Sequence, residues 1–149
     1  LPAISGASLT GITTGKVLQV VTNEVDATHT PTTSTSYVAS LCTGTITPSA
    51  TSSKILVLMS ACGSSEADGR RMFYTLYRGA SNLGVATGFG ELMDDDGRTR
   101  AGIHINYLDS PSTTSATTYT LYFKSHDGGS VEMPQGTYTF VTTMMEIAG

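Results

Sequence analysis

The 149-residue chain predicts an all-β fold: an antiparallel β-sandwich, jelly-roll-like, with a short extended N-terminal lead-in. Three observations carry that expectation. Strand-like segments recur at short, regular spacing. Clusters of Gly, Pro, Asp, Asn, Ser and Thr separate them. No stretch shows the 3.6-residue apolar period of an amphipathic helix.

Residues 1–15 are read as an extended stalk or collar and residues 16–149 as the head domain. The opening LPAISGASLTGITT has too few apolar side chains for a core and alternates too poorly for a good strand. From Lys16 the pattern becomes regular: KVLQVVT (16–22) is a strand. Residues 24–36 are polar, contain Pro31 and read as a long loop. YVASLCTGTIT (37–47) is the second strand and PSATSS (48–53) a turn. KILVLMSAC (54–62) is almost wholly apolar, as expected of a strand buried on both faces. GSSEADG (63–69) is a loop, RRMFYTLYR (70–78) an aromatic-rich strand, and 83–87 a short strand after the 79–82 turn. GFGELMDDDGR (88–98) is a long acidic loop. In 100–108, Ile103, Ile105 and Tyr107 share one face, and His104, Asn106 and Leu108 the other. DSPSTTSA (109–116) is a turn. Tyr119, Leu121 and Phe123 share a face of 117–125. HDGGS (126–130) is a hairpin loop, 131–133 a short strand, 135–136 a turn and 137–147 the last strand.

If successive strands run antiparallel, loops 23–36, 63–69, 88–99 and 126–130 share the end far from the lead-in. That end collects most of the acids, and the opposite turns are nearly uncharged. Binding sites favour loops on a rigid scaffold. The candidate ligand-facing residues are therefore Glu66, Asp68, Glu91, Asp94, Asp95, Asp96, Arg98 and Asp127, with Tyr37 as the aromatic contact. The competing expectation is that these charges only keep exposed loops solvated.

Composition narrows the function classes. Charged residues are 13% of the chain and the net charge is -4. A small net charge with 39% hydrophobic residues does not match disorder. Nucleic-acid binding calls for a basic stripe, which is missing here, and no apolar run of about 18 residues spans a bilayer. Neither nucleic acid nor membrane insertion is therefore expected. A chain opening at Leu1 without a signal-like apolar core is expected to be a processed product or part of something longer. Cys42 and Cys62 sit in apolar strands. Folding 41–47 against 54–62 sets Cys42 opposite Met59, so free buried thiols are expected rather than a disulfide.

No motif commits the chain to chemistry. Asp94-Asp95-Asp96-Gly97 lacks the alternating carboxylate spacing of a calcium loop. A solvated acidic turn is expected, with a weakly held divalent cation at Asp94 and Asp96 as the alternative; no other metal or cofactor is expected. The nucleophile-elbow, zinc-protease and phosphate-loop patterns are absent. No pair of carboxylates stands out as a glycosidase pair. The six strand tyrosines 74, 77, 107, 119, 122 and 138 are assigned to packing.

LPAISGASLTGI (1–12) resembles the segment that precedes the C-terminal head domain in many tail fibres and appendage proteins of tailed phages, often marine or cyanobacterial. GKVLQVV (15–21), TITPSATSSKILV (45–57), YRGASNLG (77–84), DSPSTTSATTYTLYFKS (109–125) and TTMMEIAG (142–149) resemble the head that follows it. The resemblance covers essentially the whole chain but includes no catalytic motif. Loops 23–36, 63–69 and 88–99 match no family pattern. What it implies is a homotrimeric virion protein, with Leu1, Ile4, Leu9 and Ile12 buried together on the three-fold axis. Its partners would be other virion proteins and a host surface glycan or protein. The leading function is a non-enzymatic tail-fibre or receptor-binding head. The alternatives are a capsid decoration or cement protein and a glycan-degrading virion enzyme.

Overall fold

A computed structural model describes residues 15–65, 69–93, 97, 99–133 and 137–149. The lead-in residues Leu1, Ile4, Leu9 and Ile12, and the loop residues Glu66, Asp68, Asp94, Asp95, Asp96 and Arg98, lie outside the described residues. The strands are β1 (Val17–Ala27), β2 (Pro31–Thr32), β3 (Val38–Ile46), β4 (Lys54–Ser65), β5 (Arg71–Arg78) and β6 (Ser81–Asn82). They continue with β7 (Gly90–Met93), β8 (Thr99–Asp109), β9 (Thr117–Ser125), β10 (Val131–Glu132) and β11 (Tyr138–Ile147).

The short pieces continue the long ones. β11 pairs with the lower part of β4 and β10 with its upper end at Ser64 and Ser65; β1 and β2 flank them in the same order. β6 and β7 likewise line the lower and upper parts of β5. Eight composite strands result. One sheet runs β1/β2, β10/β11, β4, β8, and the other β3, β9, β5, β6/β7. Counted in chain order these are 1-8-3-6 and 2-7-4-5, every pairing antiparallel. That strand order is a jelly roll, and the predicted fold class is correct.

Alternation builds the core. Ile55, Val57 and Met59 of β4, Ile103 and Ile105 of β8, and Phe140 and Met144 of β11 point inward from the first sheet. Met72 and Leu76 of β5 and Tyr119, Leu121 and Phe123 of β9 meet them from the second. Gly44 of β3 allows close approach: a Cβ there would meet the Met144 and Thr142 side chains 2.6 and 2.8 Å away.

Two buried carboxylates fasten the lower end, where the lead-in enters. Glu146 is fully buried. Its Oε1 accepts from Ser49 N, Ser49 Oγ and Ser53 Oγ at 2.7, 2.6 and 2.6 Å, and its Oε2 from Gln19 Nε2 at 2.6 Å. This ties the 48–53 turn to β1 and β11. Asp109 joins the sheets: Arg78 Nη1 donates to both its oxygens at 3.0 and 2.8 Å, and the Tyr119 hydroxyl donates to Oδ2 at 2.6 Å.

Several local expectations are corrected. β3 and β4 are not a hairpin. They lie in opposite sheets, so Cys42 faces Thr142, its Sγ 3.5 Å from the Thr142 Oγ1. Both thiols are free, Cys42 buried but Cys62 only half-buried. Residues 83–87 are no strand: they bulge out between β6 and β7, bridged at Val85 and Gly88. β10 and β11 run in the same direction along β4, so no reversal at the lower end separates them. β1 extends to Ala27, into the segment read as loop. Finally, β4 is buried on one face only: Leu56 and Leu58 are half-buried and Ser60 is exposed.

Candidate functional site

The upper outer face of the second sheet carries a groove of about 610 Å³. Cross-strand register places its residues. Lys124 of β9 pairs with Phe73 of β5, which pairs with Glu91 of β7. Val38 pairs with Phe123, which sets Tyr37, just before β3, beside Lys124. Tyr37, Lys124, Phe73 and Glu91 thus form one row across four strands. Arg71 and His126 stand above the row, and Thr87–Gly90 form one wall with Phe89.

The Lys124 ammonium lies between two rings, 4.6 Å from the centroid of Tyr37 and 5.6 Å from that of Phe73. Such cation–π contacts hold a lysine over an aromatic floor while leaving its donors free. His126 tilts over Phe73 at 5.6 Å between centroids. Below, Tyr77 stacks on Tyr122 at 4.0 Å and meets Tyr37 edge-on at 6.3 Å. Burial, then the neighbouring Tyr77, pushes the Tyr37 phenol above its ordinary value, so it stays neutral under physiological conditions. Arg71 and Glu91 approach only to 4.0 Å, both about half exposed, an ion pair of little energetic weight. The groove therefore holds two basic side chains and a histidine against one carboxylate, although the chain as a whole carries -4.

The loop wall depends on Gly88. Its φ is +86°, and a Cβ would meet the Tyr74 carbonyl and lie 2.6 Å from the Tyr37 hydroxyl. The turn is held by Gly88 N to Val85 O at 2.8 Å and Phe89 N to Tyr74 O at 2.8 Å. Phe89 then packs edge-on against Tyr107 of β8, centroids 5.4 Å apart. Gly88→Ala is expected to cost about 1–3 kcal/mol through backbone strain and to weaken ligand binding. Thermal melting and a binding isotherm would check both.

Three of the predicted residues are described. Tyr37 and Glu91 fall in the groove row. Asp127 stands at the same end, its Oδ1 accepting from Gly129 N at 3.0 Å and Ser125 Oγ at 3.1 Å, with Arg70 at 3.9 Å. The bond from Gly129 first, with that from Ser125 and the nearby Arg70, holds its carboxyl below the usual range against desolvation. Sequence reasoning missed Phe73, Phe89, Arg71, Lys124 and His126. The outward period-2 positions 71 and 73, and 122, 124 and 126, were the available signal. Of the described acids, Asp109, Glu132 and Glu146 are buried, whereas Glu24 and Asp26, on β1 rather than in a loop, are exposed. Glu132 Oε1 meets His29 Nε2 at 2.7 Å. Among the described residues no three or more His, Cys, Asp or Glu side chains gather to hold a metal ion.

No family model matches the chain, and no curated protein does. Among solved structures, a chain in the structure of infectious bursal disease virus Gx strain aligns with 99% of this chain and 46% of its own length. The identity is 11% and the TM-score 0.49. This chain thus spans less than half of that neighbour.

Proposed function

We propose that the protein is a non-enzymatic virion attachment head, homotrimeric, whose groove on the β9–β5–β7 face binds a carboxylate-bearing glycan of the host surface. The observation that carries this reading is the Tyr37–Lys124–Phe73–Glu91 row, an aromatic floor with cations above it. A pyranose ring has an apolar C–H face that packs on an aromatic ring. Lys124, Arg71 and His126 supply donors for a sugar carboxylate, where charge-assisted bonds are the strong ones. Glu91 can accept from hydroxyls. The acidic upper loops do not oppose this strongly, because exposed charges are screened within about 8 Å at physiological ionic strength. The virion setting and the trimer come from the tail-fibre resemblance and are part of the same proposal. A glycosidase would need a second carboxylate facing Glu91 across the ligand; the described lining places cations there instead.

Calorimetric titration of the full chain with uronic-acid oligosaccharides and with their carboxyl-reduced counterparts tests the reading. The acidic series is expected to bind and the reduced series to bind at least tenfold more weakly. Lys124→Glu should remove about 1.5–3 kcal/mol of that affinity. Preference for the neutral series would contradict the proposal. Shortening of the oligosaccharides on incubation would establish the enzymatic alternative.

A further inference from the structure

We infer that the outer face of the sheet formed by β1, β11, β4 and β8 packs against a second copy of this chain, about an axis parallel to the strands. The apolar run of β4 is the first observation: its inward residues form the core, while Leu56 and Leu58 face outward with no layer of this chain described above them. The second is a continuous apolar row. Register aligns Val20, Met145, Leu56 and Leu108 across all four strands. Val20 is 55% and Leu108 52% exposed, and Leu18 beside them 42%. Single exposed apolar residues are ordinary, but a row spanning a sheet marks an interaction surface.

Charge complementarity selects the occupant and the axis. Above the apolar row the two edges differ in sign. Glu24 and Asp26 project from β1, and His104 and Arg100 from β8, all exposed on this outer face. Rotation about an axis parallel to the strands brings the β1 edge of one copy to the β8 edge of the next at equal height. Acids then meet Arg100 and His104, and apolar rows meet apolar rows. Rotation about an axis across the strands would instead invert the heights, so that Glu24 and Asp26 would face the apolar end of the partner's β1 and Arg100 would face no acid, which leaves charges desolvated without partners. The strand-parallel axis also keeps every groove at the same upper end, facing away from the axis. Residues 1–14 join the chain at the apolar end of this face. The number of copies rests on the multimeric reading above; the face and the axis rest on register and charge.

Sedimentation of the full chain tests this. The wild type should run at a multiple of 15.6 kDa, and Val20→Asp and Leu108→Lys should each run as folded monomers with unchanged far-ultraviolet circular dichroism. Charge reversal guards against misfolding: Glu24→Lys with Asp26→Lys should weaken assembly at least tenfold, and adding Arg100→Glu should restore it. Unchanged mass in the two apolar variants, or no rescue, would overturn the face while leaving a multimer in place. A monomeric wild type would overturn both the face and the multimeric reading. If removing residues 1–14 from that monomer then increased dye binding at the row, the lead-in would be its cover.

Discussion

Asp109→Ala is expected to destabilise the protein by about 3 kcal/mol, the low end of the range for breaking a buried ion pair. Asp109 is 6% exposed and takes three hydrogen bonds from two side chains of the facing sheet. Removing it strands a buried Tyr119 hydroxyl and an Arg78 guanidinium. Arg78 keeps about a third of its side chain in solvent, which is why the loss stays at the low end. A shift of this size corresponds to roughly 6–12 °C in the melting temperature of a domain of this length. Tyr119→Phe, which removes one bond and leaves the ion pair, should cost only about 1 kcal/mol. Equal losses in the two variants would mean that the ion pair contributes nothing. The same site holds the Tyr119 phenol strongly above its ordinary value, through burial first and then its bond to Asp109. No spectroscopic titration of that tyrosine is therefore expected in the folded protein below pH 12.

The second large effect is pH-dependent. Burial alone would raise the Glu146 carboxyl, but the bonds from Ser49, Ser53 and Gln19 outweigh it and bring the value down from 4.5 to about 2. A depressed carboxylate contributes stability above its unfolded value and loses it as the pH falls through the folded one. The contribution is therefore full above about pH 5 and fades between pH 4.5 and 2. Glu146→Gln lacks the charge and turns an amide donor toward the Gln19 donor. At pH 7 it should be less stable by about 1–3 kcal/mol. Its urea midpoint should approach that of the wild type as the pH falls to 2. A constant gap between the two curves across that range would contradict the assigned role of the carboxylate.

The layout was legible because period-2 alternation and turn chemistry are local properties. The 103–107 and 119–123 positions point inward as their alternation requires, and the up-and-down order of the loops holds through 126–130 even though 83–87 is not a strand, failing only where β10 and β11 continue in one direction. That order survived because β6 and β7 together still cross the sheet beside β5. What was not legible depends on pairing between distant segments. Whether 41–47 folds onto 54–62 or crosses to the opposite sheet is decided by the partners of both strands, not by the turn between them. The site suffered in the same way. Glu91 is legible from a loop and Tyr37 from the start of a strand at the loop end, but Phe73 and Lys124 sit within strands, where an aromatic or a lysine reads as packing or ordinary surface. Only the register that aligns Tyr37, Lys124, Phe73 and Glu91 turns four separated residues into a groove. The near-continuous apolarity of β4 reads as burial on both faces, but among the described residues its outer face is only half-buried at Leu56 and Leu58 and exposed at Ser60.

The central claim is that ligand binds the upper face of the β3–β9–β5–β7 sheet rather than the acidic loop tips. Nuclear magnetic resonance of the isotope-labelled full chain, titrated with an acidic oligosaccharide, tests it most directly. Shifts confined to the backbone amides of Tyr37, Phe73, Lys124, His126 and residues 87–91 are the predicted result. Shifts centred on 66–68 and 94–98, with Phe73 and Lys124 unmoved, would contradict it.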